Sequence, residues 1–236
     1  MTAVVDQSSG GSTTTTASTS HTVTLPGSMT SGDTALMAVG HGGTSTQSPS
    51  ATGWTSLFDG YRSVGPGIFG MWRELDGTEG ANVTVTTSAS IQSAHNVWEI
   101  SGADDPDTNP PEAGTVANGS SSTPDPPSLT AGGGSDDYLW FALCCFLDDN
   151  ELTGAPTNYS NYEEISMATW GPYVSLGSGQ RDLTAATENP GGFSASGTRD
   201  WVSQTVLIYP AAAPLGGPKG VLGGLVLGGP FGGPLG

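Results

Sequence analysis

The side chains able to do chemistry are mostly carboxylates. They cluster at Asp104, Asp105 and Asp107, at Asp136 and Asp137, at Asp148, Asp149 and Glu151, and at Glu163 and Glu164. Two carboxyls about 5 to 10 Å apart in a cleft would suit glycoside hydrolysis. A chain this acidic offers many pairs, however, and the residue order selects none. Loop carboxylates can also bind Ca²⁺, but none of these runs has the EF-hand spacing, and solvated turn acids are the plainer reading. The three histidines, His21, His41 and His95, fall in separate segments without HxH or HExxH spacing. No metal site is expected, and each reads as a strand-surface residue. No GxSxG elbow leads into a helix, and Gly177-Ser178-Gly179 reads as a turn. The two cysteines, Cys144 and Cys145, are adjacent. In a strand they face opposite ways with Cα atoms about 3.8 Å apart, short of the usual disulfide span. Both read as buried thiols. No catalytic residue, metal or cofactor is assigned.

Aromatic side chains suit binding better. Tyr61, Trp72, Tyr159, Tyr162, Trp170 and Tyr173 include several in or near loops. An exposed ring on a β-sandwich can stack on the apolar face of a sugar while Asp or Asn holds its hydroxyls. Tyr61, Tyr162 and Tyr173 are the candidate glycan contacts. The competing reading is that most of these rings are core, because aromatics supply much of the burial in a small sandwich.

Five Lys and Arg stand against 22 Asp and Glu, a formal charge of -17. Such a chain is repelled by nucleic-acid phosphates and has few anchors for an anionic membrane. No stretch is long and apolar enough to span a bilayer. The N-terminal residues MTAVVDQSSGG lack the basic region and apolar core of an export signal, so synthesis in a cytoplasm without export is expected.

The 236 residues include 37 Gly and 17 Pro, with only 11% charged, which describes short strands joined by many turns. The stretch Trp72 to Ile100 sets the pattern. Trp72 to Leu75 ends a strand, Asp76-Gly77 turns, and Asn82 to Thr87 alternates with Val83 and Val85 on one face. Ser88-Ala89-Ser90 reads as a connection, and Ser93 to Ile100 as the next strand. Elsewhere, Ala3 to Asp6 reads as an edge strand and Gln7 to Ser20 as a polar loop or an edge connection. His21 to Leu25, Thr34 to Val39, Gly53 to Phe58, Gly67 to Trp72 and Thr198 to Tyr209 read as strands. Asp137 to Leu147 is almost continuously apolar, and its aromatics and flanking glycines favour a central strand over a helix. The expected fold is an all-β, antiparallel, jelly-roll-like β-sandwich over residues 1–209.

Residues 210–236 differ. Pro210 to Pro214 is a linker, and LGGPKGVLGGLVLGGPFGGPLG follows. This tail has no helical pattern, and alone it does not offset its ordering entropy. Its recurring apolar residues, Leu215, Val221, Leu222, Leu225, Val226, Leu227, Phe231 and Leu235, read as anchors for a neighbouring subunit, making a homo-oligomer through an extended assembly tail.

The segments SHTVTLP, GWTSLFDG, DGTEGANVTVTTSAS, QSAHNVWEISGA, TPDPPSLT, DYLWFALCC and RDWVSQTVLIYP, running from about Ser20 to Tyr209, resemble a family of β-sandwich proteins. That family is encoded in tailed bacteriophages and in prophage or gene-transfer-agent-like regions. The resemblance implies a virion component, a head decoration, fibre or tail part, that contacts other virion proteins. It carries over no catalytic residue and does not include the tail. The alternative reading is a carbohydrate-binding module for a host-surface glycan. A glycoside hydrolase ranks below both.

Overall fold

The computed structural model describes residues 2–147, 151–167 and 174–212. Among them are sixteen strands: β1 (Val4–Ser8), β2 (Ser12–Thr24), β3 (Thr34–His41), β4 (Thr55–Tyr61), β5 (Gly67–Glu74), β6 (Asn82–Ser101), β7 (Glu112–Ala113), β8 (Ala117–Ser121), β9 (Leu129–Thr130), β10 (Asp136–Leu147), β11 (Leu152–Gly154), β12 (Ser160–Ser166), β13 (Val174–Ala185), β14 (Thr187–Glu188), β15 (Ser194–Ala195) and β16 (Arg199–Ile208). No helix among the described residues is long and apolar enough to cross a membrane.

Two six-stranded antiparallel sheets face each other. The first runs β1-β6-β3-β5-β4, with β2 sharing the edge along β6. The second runs β12-β13-β10-β16-β7, with β8 sharing the edge along β16. Leu36, Trp98 and Ile100 of the first sheet meet Phe141, Leu143 and Cys145 of the second in one buried cluster. Trp98 and Phe141 pack with ring centroids 5.2 Å apart. The antiparallel sandwich is as expected.

Its connectivity is not that of a jelly roll, in which the chain passes repeatedly between the sheets. Here each sheet is one contiguous half of the chain. A two-piece edge strand comes first, then the central strand. A hairpin then returns to one side of that strand, and a last strand lies on its other side. The first half uses β1/β2, β3, β4–β5 and β6; the second uses β7/β8, β10, β12–β13 and β16. The main sheets are joined by one crossover, through residues 102–111. The registers agree as well. Gly70, Ala38 and Asn96 lie side by side across β5, β3 and β6. Ser178, Leu143 and Gln204 do the same across β13, β10 and β16. Asn96 and Gln204 are both buried, and each side-chain oxygen accepts the N–H of the next residue, Val97 or Thr205, at 2.9 Å.

Both sheets are covered on their outer faces too. Met37, Phe69 and Met71 lie under Leu25, Trp54 and Val85. Ala142, Cys144 and Phe146 lie under Leu152 and Phe193. A central strand buried on both faces has no polar alternation, which is why β3 and β10 read as unbroken apolar runs. The same cover explains a correction. Gly177-Ser178-Gly179 is strand, inside β13, and not a turn. A Cβ at Gly177 would lie 2.5 Å from Leu152 Cδ1, and one at Gly179 2.8 Å from Ala155 Cβ. The glycines mark where the covering loop approaches closely.

Two further corrections concern polar segments. Ser88-Ala89-Ser90 is no connection, since β6 continues through it. Most of Gln7 to Ser20 is strand, because its Thr-rich sequence suits a solvent-facing edge that pairs with β6 at bulged registers. The histidines are core, not strand surface: His21 is 1% exposed, His41 and His95 0%. The cysteines do face opposite ways, Cys144 outward under the loops and Cys145 between the sheets, and neither is bonded. Burial raises both thiols well above their ordinary range. The native protein is expected to leave a thiol-specific disulfide reagent unreacted at pH 8, with two thiols titrating only in denaturant.

The molecule has two poles. At one, Val4 pairs with Ser101, Pro210 bridges to Ala103, and the Ala211 N–H donates to Gly102 O at 2.8 Å. The chain start, the crossover and the end of the described chain therefore meet there. At the other, the β4–β5 turn meets the start of β16, with Arg62 Nε 3.3 Å from Asp200 Oδ2. From Asp200 to Pro210 the chain runs about 33 Å at roughly 3.3 Å per residue.

Candidate functional site

The sandwich has two open sides where edge strands of opposite sheets meet. They are sealed differently. On one side β12 meets β1 and β2. Glu163 Oε2 accepts hydrogen bonds from Ser8 Oγ (3.1 Å), Asn96 Nδ2 (2.9 Å) and Trp98 Nε1 (2.9 Å). This bolts the N-terminal strand and both sheets together. Ile165 lies over Gly11 beside it. The hollows near this side are smaller than those opposite: about 60 Å³ beside Val5, Ser160 and Gln180, and about 230 Å³ beside Thr2, Asp137 and Asp182.

On the other side β4 meets the β7–β8 segment, and the seam is held by a narrow contact. Val116 sits on the backbone of Gly60, where a Cβ would lie 2.6 Å from Val116 Cβ. The surface is hollowed beside this contact. One hollow of about 440 Å³ is lined by Leu57, Asp59, Tyr61, Thr115 and Val116. A second, about 470 Å³, is lined by Tyr61, Arg62, Ser63, Val64 and Asn118. Tyr61 borders both and is 39% exposed, and Val64 is 66% exposed. Asp59 and Tyr61 are two apart on β4, so the strand's alternation places them on one face. Asp59 Oδ2 accepts the N–H groups of Gln47 and Ser48, both at 2.8 Å. Its other oxygen, Oδ1, is buried and has no hydrogen-bond partner. Arg62 faces Asp200 as an ion pair and not as an aligned hydrogen bond.

No protein-family model, curated protein or solved structure matches this chain.

The open seam must therefore be read from its own groups. It combines an exposed phenol ring, an apolar floor at Leu57 and Val116, a carboxylate engaged inside the protein, an exposed amide at Asn118 and a guanidinium already neutralised. Such a surface suits non-covalent binding of a polar ligand with apolar faces.

The other sequence-predicted residues do not join it. Tyr162 is half-buried; its hydroxyl donates to Leu152 O at 2.7 Å and its ring packs on the cluster around Leu152 and Phe193. It covers the second sheet, with its polar end satisfied inside the protein, and it does not line the open seam. Tyr173 and the tail anchors from Leu215 to Leu235 lie outside the described residues. Of the acidic loop, Asp105 and Asp107 meet Glu74, all three exposed and with oxygens within 4.8 Å of one another. Exposed acids at this spacing are common without a cation, and they make no site alone.

Asp59, Arg62 and Asn118 were not selected from sequence. The local signals were an apolar Val64 between two strands and the triplet Asn118-Gly119-Ser120. The rest depends on β4 and the β7–β8 segment meeting across some 55 residues of chain.

Proposed function

We propose that the chain is a virion structural protein of a tailed phage, a head decoration, fibre or tail component, that presents its sandwich on the particle surface. The resemblance supplies the class. The observation that supports it is the two-pole arrangement. Residues 213–236 follow from the pole at Pro210, and the Arg62–Asp200 end of the open seam lies about 33 Å away along β16. A tail that anchors to neighbouring subunits at one pole leaves the opposite pole pointing outward. Its Leu, Val and Phe residues are the anchors, and the partners are further copies of this chain and other virion proteins.

Light scattering on the full chain and on a chain ending at Ala212 tests this. The full chain is expected to form a defined oligomer, and the shorter one to remain a folded monomer. Two monomers, or unfolding of the shorter chain, would refute the assembly role. A second reading, favoured by the open seam, is a carbohydrate-binding module for a host-surface glycan. Both hold together in a host-contact fibre.

A further inference from the structure

We infer that the open seam binds an uncharged glycan chain lying across Tyr61, with consecutive sugars in the two hollows. This rests on the second reading above and specifies its ligand. Three independent features carry it.

The first is the contrast between the two sides of the sandwich. The halves share one connectivity and one register, so the two seams occupy corresponding places. One is closed by the three hydrogen bonds to Glu163. The other keeps two hollows of about 440 and 470 Å³, each within the usual size of a small-ligand site. The second is the position of Tyr61. It is the residue common to both hollows, so a ligand long enough to use both must cross its ring. A pyranose offers an apolar face to such a ring and hydroxyls around its rim. The Asn118 amide lies in the second hollow and suits a sugar hydroxyl.

The third is charge. The chain carries -17, and its cations in the described residues are engaged. Arg62 faces Asp200, Arg73 pairs with Asp76 and Glu79, Arg181 pairs with Glu188, and Arg199 donates to Thr198 O. An anionic polymer would meet Asp59 and Asp200 in the seam with no uncommitted guanidinium among the described residues to receive it. A neutral chain pays no such repulsion.

Affinity electrophoresis of the full chain tests the inference. The gels contain soluble neutral polysaccharides (a glucan, a mannan, a galactan and a xylan) or the anionic polymers polygalacturonate and alginate. Retardation is expected in at least one neutral gel and in neither anionic gel. Tyr61→Ala, an edge-strand position whose folding is checked by circular dichroism, should weaken it about tenfold or more. Tyr162→Phe, away from the seam, should be retarded like the parent. Retardation in anionic gels alone, lost with Tyr61→Ala, would overturn the uncharged class and leave the module reading standing. Retardation in no gel would overturn both. Retardation unchanged by Tyr61→Ala would place the ligand elsewhere. Binding seen only in the chain ending at Ala212 would mean that a tail occupies the seam, which also overturns the proposal.

Discussion

Two buried histidines are expected to remove about 6 kcal/mol of the sandwich's stability between pH 7 and pH 4. Burial, followed by the neighbouring charge of His21, lowers His95 to about 4 and His41 to about 3, from 6.5. His21 is lowered by burial as well. These rings stay neutral in the folded state at pH values where the unfolded chain binds protons. Stability is therefore intact above 6.5 and falls as pH drops below it, by about 1.4 kcal/mol per unit per histidine until the folded value is reached. From 6.5 to 4 each of the two costs about 3 kcal/mol.

The surroundings offer no easy relief. His95 Nδ1 meets Ser12 Oγ at 2.6 Å. His41 Nδ1 accepts the Gly43 N–H at 3.1 Å, while its Nε2 is buried without a partner. His21 sits between Thr87 and Ser93. Three carboxyls oppose the trend, Asp33, Glu164 and Asp182, each raised chiefly by burial. Asp33 is raised to about 6 by burial and then by the charges of Glu99 and Asp6. It takes up its proton first in the folded state, so it adds stability as pH falls from 6 towards 3.8. Asp33 is partly solvent-facing, and screening makes its contribution smaller than that of the two fully buried rings. Because domains of this kind are typically stable by about 5–15 kcal/mol, the part of the histidine cost that these carboxyls do not offset is a large share of the total. Urea titrations at pH 7, 5.5 and 4 would show it, and the double variant His41→Gln, His95→Gln should flatten the dependence. A midpoint that does not move between pH 7 and 4 would rule the account out.

Trp98→Ala is the single substitution expected to cost most, about 3–5 kcal/mol. The indole is fully buried between the sheets against Phe141, so the truncated site is a cavity that neither sheet can close alone. The same ring donates from Nε1 to Glu163 Oε2 at 2.9 Å. Glu163 retains Ser8 and Asn96 after the change, so the polar loss is the smaller part. Trp98→Phe separates the two: it keeps most of the packing, removes only the donor, and should cost about 1–1.5 kcal/mol more than the difference in buried area alone. Denaturant unfolding of both variants at pH 7 decides this. Equal losses would mean that the hydrogen bond, and not the volume, holds the sheets together.

The strands whose burial is extreme were legible in the sequence. Thr34–Val39 and Asp137–Leu147 read as interior because both faces are covered, and no polar period interrupts them. The alternation of Asn82 to Thr87 likewise reports a real half-buried strand. What failed was everything that depends on partners. Glycines at 177 and 179 look like a turn until Leu152 and Ala155 are known to lie on them. The histidines look like surface residues until the β2–β6 ribbon is seen to enclose them. Tyr61 was named as a contact, but its companions come from a segment over 50 residues later, and nothing local couples Asp59 to Val116 or Asn118.

The repeated connectivity also bears on how such a chain could arise. A polypeptide of half this length, folded as one five-position sheet, would leave an apolar inner face wet. It would be stable only as a face-to-face pair, with identical seams on its two sides. Joining the two copies through a crossover such as residues 102–111 gives the connectivity seen here, and it frees each seam to change independently of the other. A symmetric ancestor could not close one side without closing both. Fusion removes that constraint, so one seam can become a fastening around Glu163 while its counterpart at Tyr61 stays available for selection to act upon.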